Sequence, residues 1–357
     1  MRIERADASL LRYRLDRPVG GSNVSSVDVV VVDMTDSSGT PGLGFSYVIG
    51  GEGDVVLAAV RQQLDRHVAG HACLPPQALW RRIATGFNRT GLGPNLLALA
   101  AIDVAAWDLE ARRRAVPLAV AMGGAPRAVR VYGSGGFHAR QSPQEAAATA
   151  AAHAARGLTA VKARLSGNSQ TDTTVMRAVR SALPDHVAAM FDANEKCDLA
   201  SARRLLDAAR DEGALFVEEP LPFGALEGYR ALARAGGAAI AAGEHLQGRQ
   251  AFHAFLSERL VAVIQPDLAM AGGLTPILEV AALADAFDIG VAPHFLPGLF
   301  VHLGAAAPAV TWLEDFPLLE PLFEGWPETQ RDGTMMPRDV PGHGLAVSAE
   351  NRRRFAV

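Results

Sequence analysis

From about residue 129 the chain alternates short apolar runs with helical stretches at a steady beat, which few folds can accommodate. The runs are VRVYGSG (129–135), TAVKARL (159–165), VAAMFDAN (187–194), ALFVEEP (214–220), AIAAGEH (239–245), LVAVIQPDLA (260–269), IGVAPHF (289–295) and TWLEDF (311–316). Between them lie segments such as PQEAAATAAAHAAR, LASARRLLDAARDEG and LTPILEVAALADAFD, whose apolar residues recur at helix spacing. Parallel strands need a crossover connection, and a helix is the usual one, so strand–helix alternation predicts parallel βα units. Eight strands spaced roughly 20 to 30 residues apart predict a closed barrel rather than an open sheet.

The flanks follow other rules. Residues 1–50 read as β: VDVVVVDM (27–34), a turn at DSSGTPG (36–42), and an extended GFSYVIGG. Asp36, Gly39 and Pro41 suit the turn. Residues 52–124 read as helical, most clearly NLLALAAIDVAAWDLEARRRAV (95–116), which GGAP (123–126) stops. The predicted division is an α+β N-terminal domain (1–124), a barrel (125–316), and a Pro- and Gly-rich segment (317–357) that packs back on the N-terminal domain.

Charge and cysteine content exclude several classes of function. Net charge is −4 with the signs interspersed, and no basic block suggests nucleic acid. Two cysteines make no disulfide framework. The first residues carry no apolar core of a signal peptide, and no run of about 18 apolar residues predicts a membrane span. The expectation is a cytoplasmic protein with no membrane partner.

Almost every predicted strand ends in an ionisable group, at the barrel end where such folds carry their chemistry. The second ends in Lys162 and Arg164, the third in Asp192 and Asn194, the fourth in Glu218 and Glu219. Glu244, Asp267, His294 and Glu314 end the remaining four. Asp192, Glu218 and Glu244 are separated by 26 and again 26 residues, one strand-plus-helix unit each. They are therefore expected on neighbouring strands at one height. Three buried carboxylates repel one another and call for a cation. Oxygen ligands favour Mg²⁺; zinc prefers histidine or cysteine ligands, and Mn²⁺ is an alternative. Glu218 and Glu219 compete for the ligand place, because neighbours on a strand face opposite sides. Asp267 and His294 end adjacent strands, where a carboxylate can fix the imidazole tautomer and raise its basicity.

With these residues assembled, the chain resembles the enolase superfamily, mandelate racemase subgroup, over essentially its whole length. AAIDVAAWDLEARRRAVPLAVAMGG is similar to the link between cap and barrel in that family. The resemblance implies a modified (β/α)7β TIM-like barrel with an α+β capping domain completed by the C-terminal tail. It implies Asp192, Glu218 and Glu244 as metal ligands, the first acid of the Glu-Glu-Pro run being the ligand. His294 and Asp267 match the His-Asp dyad, and Glu314 the acid that meets a substrate carboxylate oxygen. Lys162 matches the first lysine of a Lys-x-Lys motif, and Arg164 stands where the second would be. The implied chemistry is removal of the proton α to a carboxylate, with the metal and cations stabilising the resulting enediolate. The implied partner is a small-molecule carboxylate. Homo-oligomers, from dimers to octamers, are expected by analogy.

The departure at Arg164 directs the functional expectation. Of 34 basic residues only Lys162 and Lys196 are lysines, so a retained lysine is informative. Arginine is a poor base and a good carboxylate clamp. A two-base racemase would lose a partner, whereas a dehydratase needs one base, His294. The expected reaction is therefore dehydration of a sugar acid, an aldonate or aldarate, to a 2-keto-3-deoxy acid. Racemisation or epimerisation of a 2-hydroxy or amino acid comes second, and a non-catalytic metal-binding homologue third. For substrate contacts, the polar loop PVGGSNVSS (18–26) reads as a lid, offering Ser22 and Asn23, with Ser46 on a second wall. Asn194, Lys196 and His138 are further candidates. Lys196 either meets substrate or acts as a second base, and a solvated loop lysine is the plain alternative.

Overall fold

The computed structural model describes residues 1–19 and 24–357, and side chains for 1–15 and 24–357. Strands β1 (Ile3–Val19), β2 (Val24–Asp36) and β3 (Pro41–Ile49) form an antiparallel meander with β2 in the middle. The β2–β3 turn closes on Asp36, whose Oδ1 accepts from Ser38 N (2.9 Å) and Thr40 N (3.0 Å). Strand alternation splits the β2 side chains. Val27, Val29 and Val31 join the core shared with the barrel, while Val30, Val32 and Met34 join a core with the helices.

Helices Gly53–His67, Pro76–Ala84 and Gly93–Arg113 supply that second core. Gly93–Arg113 is apolar on nearly every face because it is wedged between sheet and barrel. Its few polar side chains bond to its neighbours. Asp108 accepts from Leu43 N (2.9 Å), Arg112 Nε (2.7 Å) and His343 N (2.9 Å). Asp103 accepts from Thr275 N (2.8 Å) and Thr275 Oγ1 (2.6 Å).

The eight predicted strand runs are all strands. They are β4 (Val129–Gly133), β5 (Ala160–Arg164), β6 (Ala188–Asp192), β7 (Val217–Glu218), β8 (Ile240–Ala242), β9 (Val263–Ile264), β10 (Gly290–Val291) and β11 (Leu313–Asp315). They pair in parallel in the order β10-β9-β8-β7-β6-β5-β4-β11. The ring closes where Val291 N donates to Ala309 O (2.8 Å) and Thr311 N to Val291 O (3.0 Å). A helix follows each strand except the last, which makes a (β/α)7β barrel under an α+β cap. Side-chain caps start several of these helices. Ser142 and Glu145 form a reciprocal capping box, and Asn168 and Asp198 cap the next two crossovers.

Inside the ring, Tyr132, Ala160, Met190, Phe216, Ala241, Ala292 and Trp312 make one packed layer. Two residues on from Ala160, Met190, Phe216, Ala292 and Trp312 stand Lys162, Asp192, Glu218, His294 and Glu314. Period-two alternation thus places these polar groups in the next layer, at the barrel mouth. Beyond β11 the chain adds β12 (Thr334–Met335), antiparallel to β4. It then reaches the cap, where Arg352 forms a two-pronged ion pair with Asp33 (2.8 Å each) and Phe323 packs on Phe45 (4.4 Å between ring centres). No described helix is long and apolar enough to cross a membrane.

Candidate active site

Register sets the acids side by side: Arg164 pairs with Asp192 across β5–β6, and Asp192 with Glu218 across β6–β7. Lys162 is wholly buried between two carboxylates, with Nζ 2.6 Å from Glu218 Oε2 and 2.7 Å from Glu314 Oε1. Burial opposes its charge, but the two carboxylates hold its pKa well above the ordinary lysine value. Arg164 lies 3.0 Å from Asp192 Oδ2 and donates to Asn194 Oδ1. Asn194 N in turn donates to Asp192 Oδ1 (2.8 Å).

The residues fit a hard divalent cation. Glu218 Oε2 is taken by Lys162 and by Gln265 Nε2 (2.7 Å), while Oε1 is buried with no donor. Asp192 Oδ2 likewise accepts no hydrogen bond. Burial, then Asp192, Glu244 and Glu314, push Glu218 well above the carboxylate range against the pull of Lys162. Glu244 is held at about 2 despite burial, chiefly by His294. Adjoining buried acids with oxygens lacking donors, and no thiolate among them, are the donor set Mg²⁺ takes. Glu218 shares its strand face with inward Phe216. Glu219 faces outward and accepts from His245 Nδ1, 3.0 Å from each carboxylate oxygen. Alternation thus separates the two competing glutamates.

Across the mouth, His294 Nδ1 donates to Asp267 Oδ2 (2.8 Å), and Nε2 lies 3.5 Å from Glu244 Oε2. Burial works against the imidazolium, but Glu244 and Asp267 outweigh it and raise His294 to about 10; a cation held by Glu244 would take away that carboxylate's pull and free the ring to act as a base. Glu314 Oε2 accepts from Phe295 N (3.0 Å). Asn194, Glu195, Glu219, Phe295 and Leu296 have positive φ, so five of the nine described non-glycine residues in that conformation stand around this mouth. A cavity of about 280 Å³ opens between Tyr47, Ile49 and Leu97 of the cap and Glu244, Asp267 and His294 of the barrel.

The other expected contacts vary in placement. Ser46 is a correction: β3 turns Phe45 and Tyr47 to the barrel, and Ser46 away from the mouth, to the face where Gly44 meets Ala101 and Ala105. His138 is exposed in the loop after β4, with its backbone N–H on Gln141 Oε1 (3.3 Å). Lys196 stands on the loop after β6 with Nζ 3.4 Å from Leu165 O, near enough to Asp192 and Arg164 for their charges to act on it, and burial lowers its pKa. Ser22 and Asn23 lie outside the described residues. Two site residues were missed by the sequence reading. Gln265 directly follows β9, two positions after inward Val263 and two before Asp267, and that parity could have revealed it. Tyr47, whose hydroxyl donates to Asp267 Oδ2, comes from the cap, and no spacing within the barrel points to it.

The class defined by this fold and site is a capped (β/α)7β barrel whose mouth gathers buried carboxylates and a paired histidine and aspartate. Residues 145–351 match the model of the enolase C-terminal domain-like family, and residues 15–123 that of the mandelate racemase / muconate lactonizing enzyme N-terminal domain. The chain belongs to the mandelate racemase/muconate lactonizing enzyme subgroup of the enolase superfamily. It is 29% identical to the L-talarate/galactarate dehydratase of Salmonella typhimurium LT2, covering 99% of this chain and 90% of that one. It is also 29% identical to a 3,6-anhydro-alpha-L-galactonate cycloisomerase of Streptomyces coelicolor, over 99% of both. The L-talarate dehydratase of Polaromonas sp. JS666, solved with Mg and L-glucarate, superposes with a TM-score of 0.91. That protein is 31% identical, covering 100% of this chain and 97% of the other.

Proposed function

We propose that this chain dehydrates a sugar acid, an aldonate or aldarate, to the 2-keto-3-deoxy acid, with His294 as its one acid–base group. The observation that carries this reading is the asymmetry of the mouth. His294 stands on the β10 side with a dyad partner. Across the ring, where a second base would stand, Arg164 is charged and bonded to Asn194. The sugar-acid dehydratases among its relatives support the same class.

Asp192, Glu218 and Glu244 would hold Mg²⁺, which when bound supplies positive charge where the substrate carboxylate gains negative charge. Arg164 and Lys162 add fixed positive charge beside it, and Glu314, when it carries a proton, can donate to a carboxylate oxygen. His294 Nε2 takes the α-proton while Asp267 holds Nδ1–H and steadies the imidazolium. The imidazolium then returns that proton to the β-hydroxyl as its C–O bond breaks. Water leaves, and the enol becomes the keto acid.

A library of acid sugars with Mg²⁺ and semicarbazide detection tests this. Expected is a 2-keto-3-deoxy product from at least one acid, lost by about a thousandfold or more in His294→Asn. Exchange of the α-hydrogen with deuterated solvent without loss of water would point to racemisation instead. Full activity of His294→Asn would remove the single-base mechanism. Chelation is expected to lower the unfolding temperature, with Mg²⁺ restoring it as its concentration rises.

A further inference from the structure

We propose that Tyr47, on the cap, is a positioning residue for the His294–Asp267 dyad, so that the base is complete only with the cap sheet seated on the barrel. This rests on the reading of His294 as the base. Asp267 Oδ2 accepts two bonds, one from His294 Nδ1 (2.8 Å) and one from the Tyr47 hydroxyl. Its other oxygen accepts from Met270 N (2.9 Å). The backbone bond and Tyr47 together fix where the carboxylate points, and hence where the imidazole is held.

The rings reinforce this placement. Tyr47 packs edge-on against Phe295, 4.8 Å between centres, and Phe295 lies edge-on to His294 at 5.0 Å. Phe295 has φ +34°, a strained conformation for a residue with a side chain, and it sits between the two rings. Tyr47 is 3% exposed, and burial together with Asp267 raises its pKa well above the usual phenol value, so the hydroxyl remains a donor. A buried tyrosine needs some acceptor. Here that acceptor is the dyad oxygen, reached from a different sheet. Outer partners that orient metal-bound histidines typically matter about 10- to 100-fold, and a base held in the same way is expected to follow that range.

The test is Tyr47→Phe, which keeps the ring on Phe295 and removes only the hydroxyl. In protein carrying ¹⁵N-histidine, the His294 Nδ1–H resonance is assigned by its loss in His294→Asn and read without metal or substrate. Expected in Tyr47→Phe are a shifted or broadened resonance, a kcat lower by about tenfold or more, and a KM within about twofold of the parent. An unchanged resonance with unchanged kcat would overturn the proposal, because the hydroxyl would then only fill space. An unmoved resonance with a raised KM would overturn it too, making Tyr47 a substrate contact. Should His294→Asn stay active, the base reading itself falls, a result distinct from either Tyr47 outcome.

Discussion

Lys162 and Arg164 are two residues apart on one face of one strand, yet they do different work. Lys162 neutralises Glu218 and Glu314 where no water reaches. Lys162→Met would strand two buried carboxylates, and breaking one side of a buried ion pair costs about 3–5 kcal/mol. Urea unfolding is expected to show a loss of that order along with loss of activity; a loss below about 1 kcal/mol would mean the acids find other partners. Arg164 is a fixed cation tied to Asn194 and beside Asp192. Arg164→Lys places a titratable amine there, and α-hydrogen exchange on the opposite face of the substrate is the expected new activity in deuterated solvent. Absence of that exchange, with the variant folded, would mean that position lies out of reach of the α-carbon.

At the scale of the element, the close approach of β3 to helix Gly93–Arg113 decides how the cap sits. A Cβ built on Gly44 would lie 2.1 Å from Ala101 O and 2.3 Å from Ala105 N. Both obstacles are backbone, so neither can swing away. Gly44→Ala is therefore expected to cost about 3 kcal/mol or more and to displace Tyr47 from the mouth. Thermal unfolding and the KM–kcat pair would register both effects. A neutral Gly44→Ala would mean that the helix can retreat at no cost. Glycines at 42 and 44 were visible in the sequence. What they accommodate was not, because the helix that crowds them begins about 50 residues later.

For the whole molecule, His302 links elements that are far apart in the chain. It is buried, with Nδ1 accepting from Ala119 N (3.3 Å) and Nε2 donating to His343 O (3.2 Å). Burial first, then His343, depress its pKa to about 4. The unfolded chain, with an ordinary histidine near 6.5, binds more protons between those values, so stability is full above about 6.5 and falls as pH drops toward 4. The loss is of order 3 kcal/mol. His302→Gln is expected to flatten that acid limb in pH-dependent unfolding while lowering stability at neutral pH. An unchanged limb would mean that other groups govern acid unfolding.

Much was legible in the linear chain because a barrel of βα units is written locally. Each apolar run, each helix period and each polar residue at a strand end repeats within about 26 residues, and period-two alternation assigns faces without knowledge of the fold. That was enough to order the strands, place the three acids at one height, and bring His294 beside Asp267. What the sequence left open depends on surfaces that meet from distant parts of the chain. By spacing alone both glutamates of the Glu-Glu pair read alike; the resemblance chose Glu218, and the strand turns that one inward. Ser46 looked suited to the mouth until the cap sheet met its helix and turned it away. Tyr47 carried no signal in its own segment, since its partner lies 220 residues on. Tertiary packing alone brings that hydroxyl to the dyad, because only the seated cap brings β3 to the end of β9.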